Sequence, residues 1–368
     1  MQFQLTALQF DIESAYLNAP LDEKIYLTPP PMVTVSPGKV LRLRKSLYGL
    51  KQAARCWAET LAKVLATPEY HRFQADRARF TNGSEFLGVH VDDLLYITQG
   101  DHGFEAWLNS HFKVKAMGLP RYLLSIELNW NSTRTQVRLS QKQYITQLIH
   151  KWLPAGSRNI HTPLSPSEQL LPREDGEAET DKTIYQSLIG SLLYAAIITR
   201  PDILYSVCHL SQFLSNPSET HLRVAKSVIR YLAHSIDTSL NYEHAKNWKL
   251  THPLRIYSDS SYANSLCDQS SFSGSIAYYY NCPIAWTSTK QPIVALSTTE
   301  AEYIALTNAC QNLLWLNQLL LDIGMRNEPT NSKPVLLGDN LSTHFLTRNP
   351  SLHRRSKHID VHYHYIRE

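Results

Sequence analysis

The segment FLGVHVDDLLYIT, residues 86–98, constrains this chain more than any other stretch: two adjacent acids, Asp92 and Asp93, stand between two β-prone apolar runs. That pattern predicts a hairpin with the acids at its tip. A second β-prone run, LTALQFDI, closes on Asp11. A sheet that pairs these strands would gather three carboxylates. Like charges that close repel, and they persist together only where a cation neutralises them. Two Mg²⁺ ions would serve, since Mg²⁺ takes a few carboxylates along with water and substrate phosphates. Two metals about 3.5–4 Å apart are a general device for in-line displacement at phosphorus. Taken alone, an Asp-Asp pair is also what turn preference places at a hairpin tip.

Around this hairpin the chain reads as an α+β fold. ESAYLNA after Asp11 predicts a short helix, PLDEKIYLTPPPMV irregular chain, and KSLYGLKQAARCWAETLAKVLA a helix with apolar residues at three- and four-residue steps. From about residue 140 to 235 the pattern turns helical, in LSQKQYITQLIHKWL, YQSLIGSLLYAAIIT, PDILYSVCHLSQFL and ETHLRVAKSVIRYLAH, with the polar TPLSPSEQLLPREDGEAETD between the first two. Strands resume near Leu254, followed by a long helix from Ser297 to Gly324, a strand at VLLGD and a basic end, HRRSKH. This β-β-β-α-β order marks a separate C-terminal domain, and it carries a second acid set. Asp259 lies on its first strand, Glu302 in the first turns of its helix and Asp339 at the end of its last strand. Glu300 competes with Glu302, but Ser297 and Glu300 have capping-box spacing, which assigns Glu300 a structural part.

The five cysteines are odd in number and scattered without a C-x-x-C pair, so neither a disulfide framework nor a zinc knuckle is expected. That reads as a reducing, intracellular setting. No apolar run reaches the roughly 20 residues that span a bilayer, and the first residues lack the pattern of a secretory leader. A net charge of +4 over 368 residues permits a polyanionic partner without pointing to one.

The blocks FDIESAYLNAPLDEKIYLTPP, VLRLRKSLYGLKQAARCW and VHVDDLLYI resemble, in order and spacing, the reverse transcriptase of copia-type retrotransposons. The resemblance continues through LLSIELN, RLSQKQYITQLI and YQSLIGSLLYAAIITRPDI. It extends into YSDSSYAN, QPIVALSTTEAEYIAL, GDNLSTHFL and NPSLHRRSKHIDVHYHYIRE, which are similar to that family's RNase H region. It implies a polymerase palm over residues 1–135 with truncated fingers, a helical thumb and connection over 136–250, and an RNase H-like α/β domain, C-terminally truncated, over 251–368. Asp11 and Asp92 would be direct metal ligands and Asp93 a supporting carboxylate. Tyr16, where the family more often has Phe, would lie under the incoming sugar, or be a core aromatic. Gly49, Lys51 and Gln52 would line the nucleotide and template side, or form a packing turn. Asp259, Glu302 and Asp339 would hold the metals of the nuclease site.

The implied cofactor is Mg²⁺, two per active site, with Mn²⁺ as a substitute. The implied partners are an RNA template, a DNA primer, RNA–DNA hybrid, deoxynucleoside triphosphates and other Gag and Pol products, with no membrane. Work would take place in cytoplasmic particles and the nucleus. Lys226 and Arg230, one turn apart, and Arg354, Arg355 and Lys357 are candidate phosphate contacts, or solvated surface. His353, His358, His362 and His364 lack the spacing of structural zinc. His90 and Ala54 replace the family's usual Tyr and Pro, and Leu-Ser its Leu-Gly. The chain begins shortly before Asp11 and stops before the family's Ala-Asp segment, for which Asp360 is a weak substitute. The alternative expectation is therefore an inactive retrotransposon remnant that at most binds nucleic acid. A cellular repair nuclease would lack SLYGLKQA and VHVDD.

Overall fold

Strand β1 (Thr6–Ile12) alternates side chains between two faces and buries Phe10 and Ile12, which is why its apolar residues recur in steps of two. The computed structural model describes residues 5–36, 38–100, 103–165, 168, 170–243, 252–324 and 333–348, which fall into two units, one holding the described residues up to 120 with 318–324 and the other those from 121 to 317 with 333–348.

In the first unit, β2 (Tyr26–Leu27) and β3 (Leu41–Arg42) pair with each other, and α1 (Ala53–Leu65) follows. Next come β4 (His71–Arg72), β5 (Arg79–Thr81), β6 (Phe86–His90), β7 (Asp93–Thr98), α2 (Phe104–His111) and β8 (Val114–Gly118). The main sheet runs β4-β5-β6-β7-β1-β8, and every pairing in it is antiparallel. Helix α1 buries Cys56, Trp57, Leu61 and Leu65 in the core that also holds Phe10, Ile12, Leu87 and Leu94. Each such side chain contributes roughly 1.5–3 kcal/mol by leaving water.

Two local expectations need correction here. The helix expected from Lys45 begins only at Ala53, because Gly49 adopts φ 94° and breaks the chain into successive turns, Leu50 N–H to Leu47 O and Ala53 N–H to Leu50 O. The short helix after Asp11 is a single 3₁₀ turn, Ala15–Asn18, entered through Ser14 at φ 52°.

The second unit opens with β9 (Tyr122–Leu123), β10 (Ile126–Trp130) and β11 (Gln136–Ser140), then the helices α3 (Lys142–Trp152), α4 (Lys182–Ile198), α5 (Leu204–Ser211) and α6 (Glu219–His234). Strand β12 (Leu240–Glu243) returns to close the sheet β12-β11-β10-β9. Asp181 caps α4 by accepting from the N–H groups of Thr183 and Ile184, and Ser218 with His221 forms a capping box on α6. These helices share a core of Tyr185, Leu188, Leu192, Val207, Val228 and Ile229.

The remaining elements are β13 (Leu254–Ser261), β14 (Phe272–Tyr279), β15 (Cys282–Lys290), α7 (Thr298–Asp322), β16 (Val335–Leu337) and α8 (Leu341–Arg348). The sheet order is β15-β14-β13-β16, with β13 and β16 parallel. The helices and this sheet are joined inside the unit. Trp286 on β15 donates its indole N–H to Ala196 O at 2.9 Å, and the Cys208 thiol donates to Ser288 O at 3.1 Å. The five cysteines are free thiols, and no helix of the described residues is long and apolar enough to cross a membrane. Asp360, the terminal histidines from His353 to His364, and Arg354, Arg355 and Lys357 lie outside the described residues.

Two candidate carboxylate sites

The first site is built by strand register. Asp11 and Asp93 are direct partners across β1 and β7, and His90 pairs with Asp93, so Val91 and Asp92 form the hairpin tip. The Ile12 N–H donates to Asp92 O at 2.9 Å, which ties the tip to the end of β1. All three aspartates are half-buried. Burial first, then the charges of Asp92 and Asp93, push the Asp11 carboxyl above the ordinary carboxylate range, while Lys115 opposes them. Lys115 stands directly opposite Asp11 on β8. Asp93 is engaged by Gln9, whose side-chain amide donates to Oδ1 at 3.3 Å.

The other sequence candidates lie in the same unit. The Tyr16 ring is half-buried and meets the Tyr48 ring at a centroid distance of 4.6 Å. The Tyr48 phenol is pushed up by burial and then by the Asp92 charge, so it belongs with the carboxylates although the sequence reading passed over it. Its signal was its place in SLYGLKQA, one residue before Gly49. Gly49 has open space where a Cβ would sit, so its conformation rather than close packing calls for glycine. Lys51 is exposed. The Gln52 amide donates to Glu23 Oε2 at 3.2 Å.

The second site lies in the other unit. Strands β13 and β16 run parallel up to the pair Tyr257–Leu337; two residues further along stand Asp259, still on β13, and Asp339, just past the end of β16. Gly338 permits the approach to α7: a Cβ there would stand 3.2 Å from Leu306 Cδ2. Glu302 faces the same point, and oxygens of Asp259, Glu302 and Asp339 lie within 4.8 Å of one another. Glu302 is 7% exposed, whereas the two aspartates are open to solvent. Its Oε1 accepts from the Ser260 N–H and hydroxyl, while the buried Oε2 has no partner. Burial raises its pKa; Ser260 opposes that rise, and the neighbouring Asp259 and Asp339 add to it. Glu300 turns the other way: its Oε2 accepts the Leu296 N–H at 2.6 Å, and its own N–H donates to Ser297 Oγ at 3.2 Å. A groove of about 740 Å³ leads from Asp259 and Asp339 past Ser275 and Thr287 to Tyr205.

Both clusters offer the oxygen ligands that hard divalent cations take, but among the described residues only Asp259, Glu302 and Asp339 bring such atoms within 4.8 Å of one another. In the first, three acids are matched by one nearby lysine; in the second, a buried carboxylate oxygen has no protein partner and faces two further acids.

The chain is similar to known proteins along nearly its whole length. The family described as reverse transcriptase (RNA-dependent DNA polymerase) matches residues 2–166. Over 98% of its length the chain is 36% identical to the retrovirus-related Pol polyprotein from transposon RE1 of Arabidopsis thaliana, covering 24% of it. It is 32% identical to that from transposon TNT 1-94 of Nicotiana tabacum, again over 98% of the chain and 28% of the relative. A putative transposon Ty5-1 protein of Saccharomyces cerevisiae is 30% identical over 80% of the chain and 97% of its own length. The chain belongs to the reverse transcriptase family of copia-type retrotransposon Pol polyproteins, a nucleotidyltransferase family. It spans about a quarter of the length of the two plant polyproteins.

Proposed function

We propose that this chain carries an RNA-directed DNA polymerase centre at Asp11, Asp92 and Asp93 and an RNase H centre at Asp259, Glu302 and Asp339. In this reading residues 1–135 are the palm, 136–250 the thumb and connection, and 251–368 the RNase H-like domain. The observation that carries it is the convergence of Asp11 with the hairpin acids, inside the segment that the reverse transcriptase family matches.

In the polymerase centre, Asp11 and Asp92 would hold the cations, and Asp93, already engaged by Gln9, would add charge from behind. Mg²⁺ bound there would activate the primer 3′-hydroxyl and neutralise the triphosphate of the incoming deoxynucleotide. Tyr16, backed by the Tyr48 ring, would support the sugar and exclude a 2′-hydroxyl. Lys115, opposite Asp11 on β8, moderates the carboxylate repulsion. Lys51 would lie along the template.

In the nuclease centre, Glu302 Oε2 and the two aspartates would supply the oxygens for Mg²⁺, and Ser260 holds the Glu302 carboxylate in place. The adjoining groove would receive the RNA strand of a hybrid through its backbone and 2′-hydroxyls, with little sequence preference. Lys226 and Arg230 are candidate phosphate contacts of the thumb.

The test is extension of a DNA primer on an RNA template with Mg²⁺, together with cleavage of the RNA strand. Asp92→Asn should abolish extension and leave cleavage, and Glu302→Gln should do the reverse. A folded wild-type protein that performs neither reaction would overturn the reading in favour of a nucleic-acid-binding remnant.

A further inference from the structure

We infer that Trp57 is a positioning residue for Asp92, acting through the backbone of the hairpin tip; this deepens the polymerase reading above and rests on it. The Trp57 indole N–H donates to the Val91 carbonyl at 2.6 Å, in the peptide that leads into Asp92. The peptide that leaves Asp92 is held as well, by the Ile12 N–H at 2.9 Å. Both peptide units flanking the Asp92 Cα are therefore fixed by donors outside the hairpin. Together they set the direction in which its carboxylate leaves the backbone.

The tip needs that restraint. Val91 has φ 56°, a left-handed conformation that crowds Cβ against the backbone and that β-branched residues strongly avoid. Such a residue stays in place only where its surroundings over-determine it. Packing alone does not, since Val91 and Trp57 both border a cavity of about 320 Å³, into which a loosened turn has room to move. Trp57 is itself well anchored: it is 2% exposed, and Phe112 meets its ring edge-on at 5.2 Å. A phenylalanine at position 57 would keep much of that packing but offer Val91 no donor. The hydrogen bond and the ring are thus separable by one substitution.

Metal binding reads the effect directly. The chain carrying Asp259→Asn and Glu302→Gln, which silences the second cluster, is titrated with Mn²⁺ while electron paramagnetic resonance counts the free ion. Trp57→Phe, Asp92→Asn and Leu65→Val are each added to that background. Leu65→Val thins the core face of the same helix without touching the tip. Trp57→Phe should weaken Mn²⁺ binding about 10-fold, the low end of what losing a ligand's supporting hydrogen bond costs. In primer extension with the nuclease centre intact, it should raise the Mg²⁺ concentration for half-maximal rate to a similar extent while leaving the KM for deoxynucleotide within about twofold. Leu65→Val should leave metal binding unchanged at a comparable loss of thermal stability. Binding by Trp57→Phe within twofold of its parent, while Asp92→Asn loses the ion, would overturn the inference alone. Equal binding by the parent and Asp92→Asn would remove the carboxylate reading and this inference with it.

Discussion

Glu302 reaches Ser260 through a single oxygen: Oε1 accepts the Ser260 hydroxyl at 2.9 Å and the Ser260 backbone N–H at 3.2 Å, and Oε2 is left without a partner. One carboxylate oxygen is thereby immobilised and the other kept available. Ser260→Ala removes the hydroxyl and keeps the N–H. A hydrogen bond to a charged group contributes about 1.5–3 kcal/mol, so RNA-strand cleavage should fall by roughly 10-fold or more while primer extension is unchanged. Steady-state cleavage of a labelled hybrid checks this, and an unaltered rate would show that the backbone N–H suffices.

Arg200 is fully buried, with its guanidinium donating to both oxygens of Asp202 at 2.9 and 2.6 Å and to the Ser235 carbonyl at 3.1 Å. Tyr231 adds its hydroxyl to Asp202 at 2.8 Å and its ring to the guanidinium at 5.5 Å. Arg200→Met leaves Asp202 with the Tyr231 hydroxyl alone and the Ser235 carbonyl with the Thr238 N–H alone, and so removes the counter-charge of Asp202. Breaking one side of a buried pair costs about 3–5 kcal/mol, and the partial exposure of Asp202 argues for the lower end. Urea unfolding should show a midpoint shift of that size. The double variant Arg200→Met, Asp202→Asn should cost less than the sum of the single changes.

His221 is folded in its neutral form. Its Nδ1 accepts the Ser218 N–H at 3.0 Å, and its Nε2 lies 2.9 Å from the Leu171 carbonyl, to which it donates. Burial pushes its pKa below the ordinary value, against the Leu171 carbonyl and Glu177. Because the folded pKa is the lower one, the unfolded chain binds the proton more readily. The contribution to stability is therefore complete above the unfolded pKa of about 6.5 and is lost as pH falls through the folded value. His209 is displaced in the same direction, chiefly by burial. Thermal unfolding between pH 7.5 and 5 should show a falling midpoint, and His221→Gln should flatten that slope without abolishing it. An unchanged slope in the variant would assign the whole acid sensitivity elsewhere.

Gly338 brings β16 against α7 next to Asp339. Its substitution by alanine places a methyl group 3.2 Å from Leu306 Cδ2, tighter than ordinary contact, and Leu306 is itself buried. Overpacking of this kind costs about 1–3 kcal/mol. Gly338→Ala should lower the thermal midpoint and reduce RNA cleavage by shifting Asp339, while Leu306→Val added to it should restore part of both. Failure of the second substitution to restore either would place the strain elsewhere.

Much of the fold could be read from local pattern. The alternation in LTALQFDI and in FLGVHVDDLLYIT placed Asp11 at a strand end and Asp92 at a hairpin tip, and the paired strands appear as β1, β6 and β7. The order of β13, β14, β15, α7 and β16 was equally legible. The hairpin of β10 and β11 went unread, although IELNW and QVRLS alternate, because the strong helical pattern that follows dominates the region. Strand β12, which completes that sheet, arrives only after four helices, and no local signal ties residues 240–243 to residues 136–140. Gln9, Tyr48, Trp57, Lys115 and Ser260 were missed as site neighbours for the same reason: each acts on a carboxylate across a strand, a turn or a helix face.

The sequence by itself determined which acids end strands, where the chain turns, and to which family it belongs, since periodicity and turn chemistry are properties of neighbouring residues. The spacing of Ser297 and Glu300 already set Glu300 apart from Glu302, but only the tertiary structure brought Glu302 within 4.8 Å of Asp259 and Asp339 and left one of its oxygens without a partner. It alone set Lys115 opposite Asp11 and the Trp57 indole beneath the hairpin tip. Charge repulsion, desolvation and hydrogen bonding act through space, over a few ångströms, between residues as far apart in the chain as Trp57 and Val91, 34 positions, or Asp11 and Lys115, 104 positions.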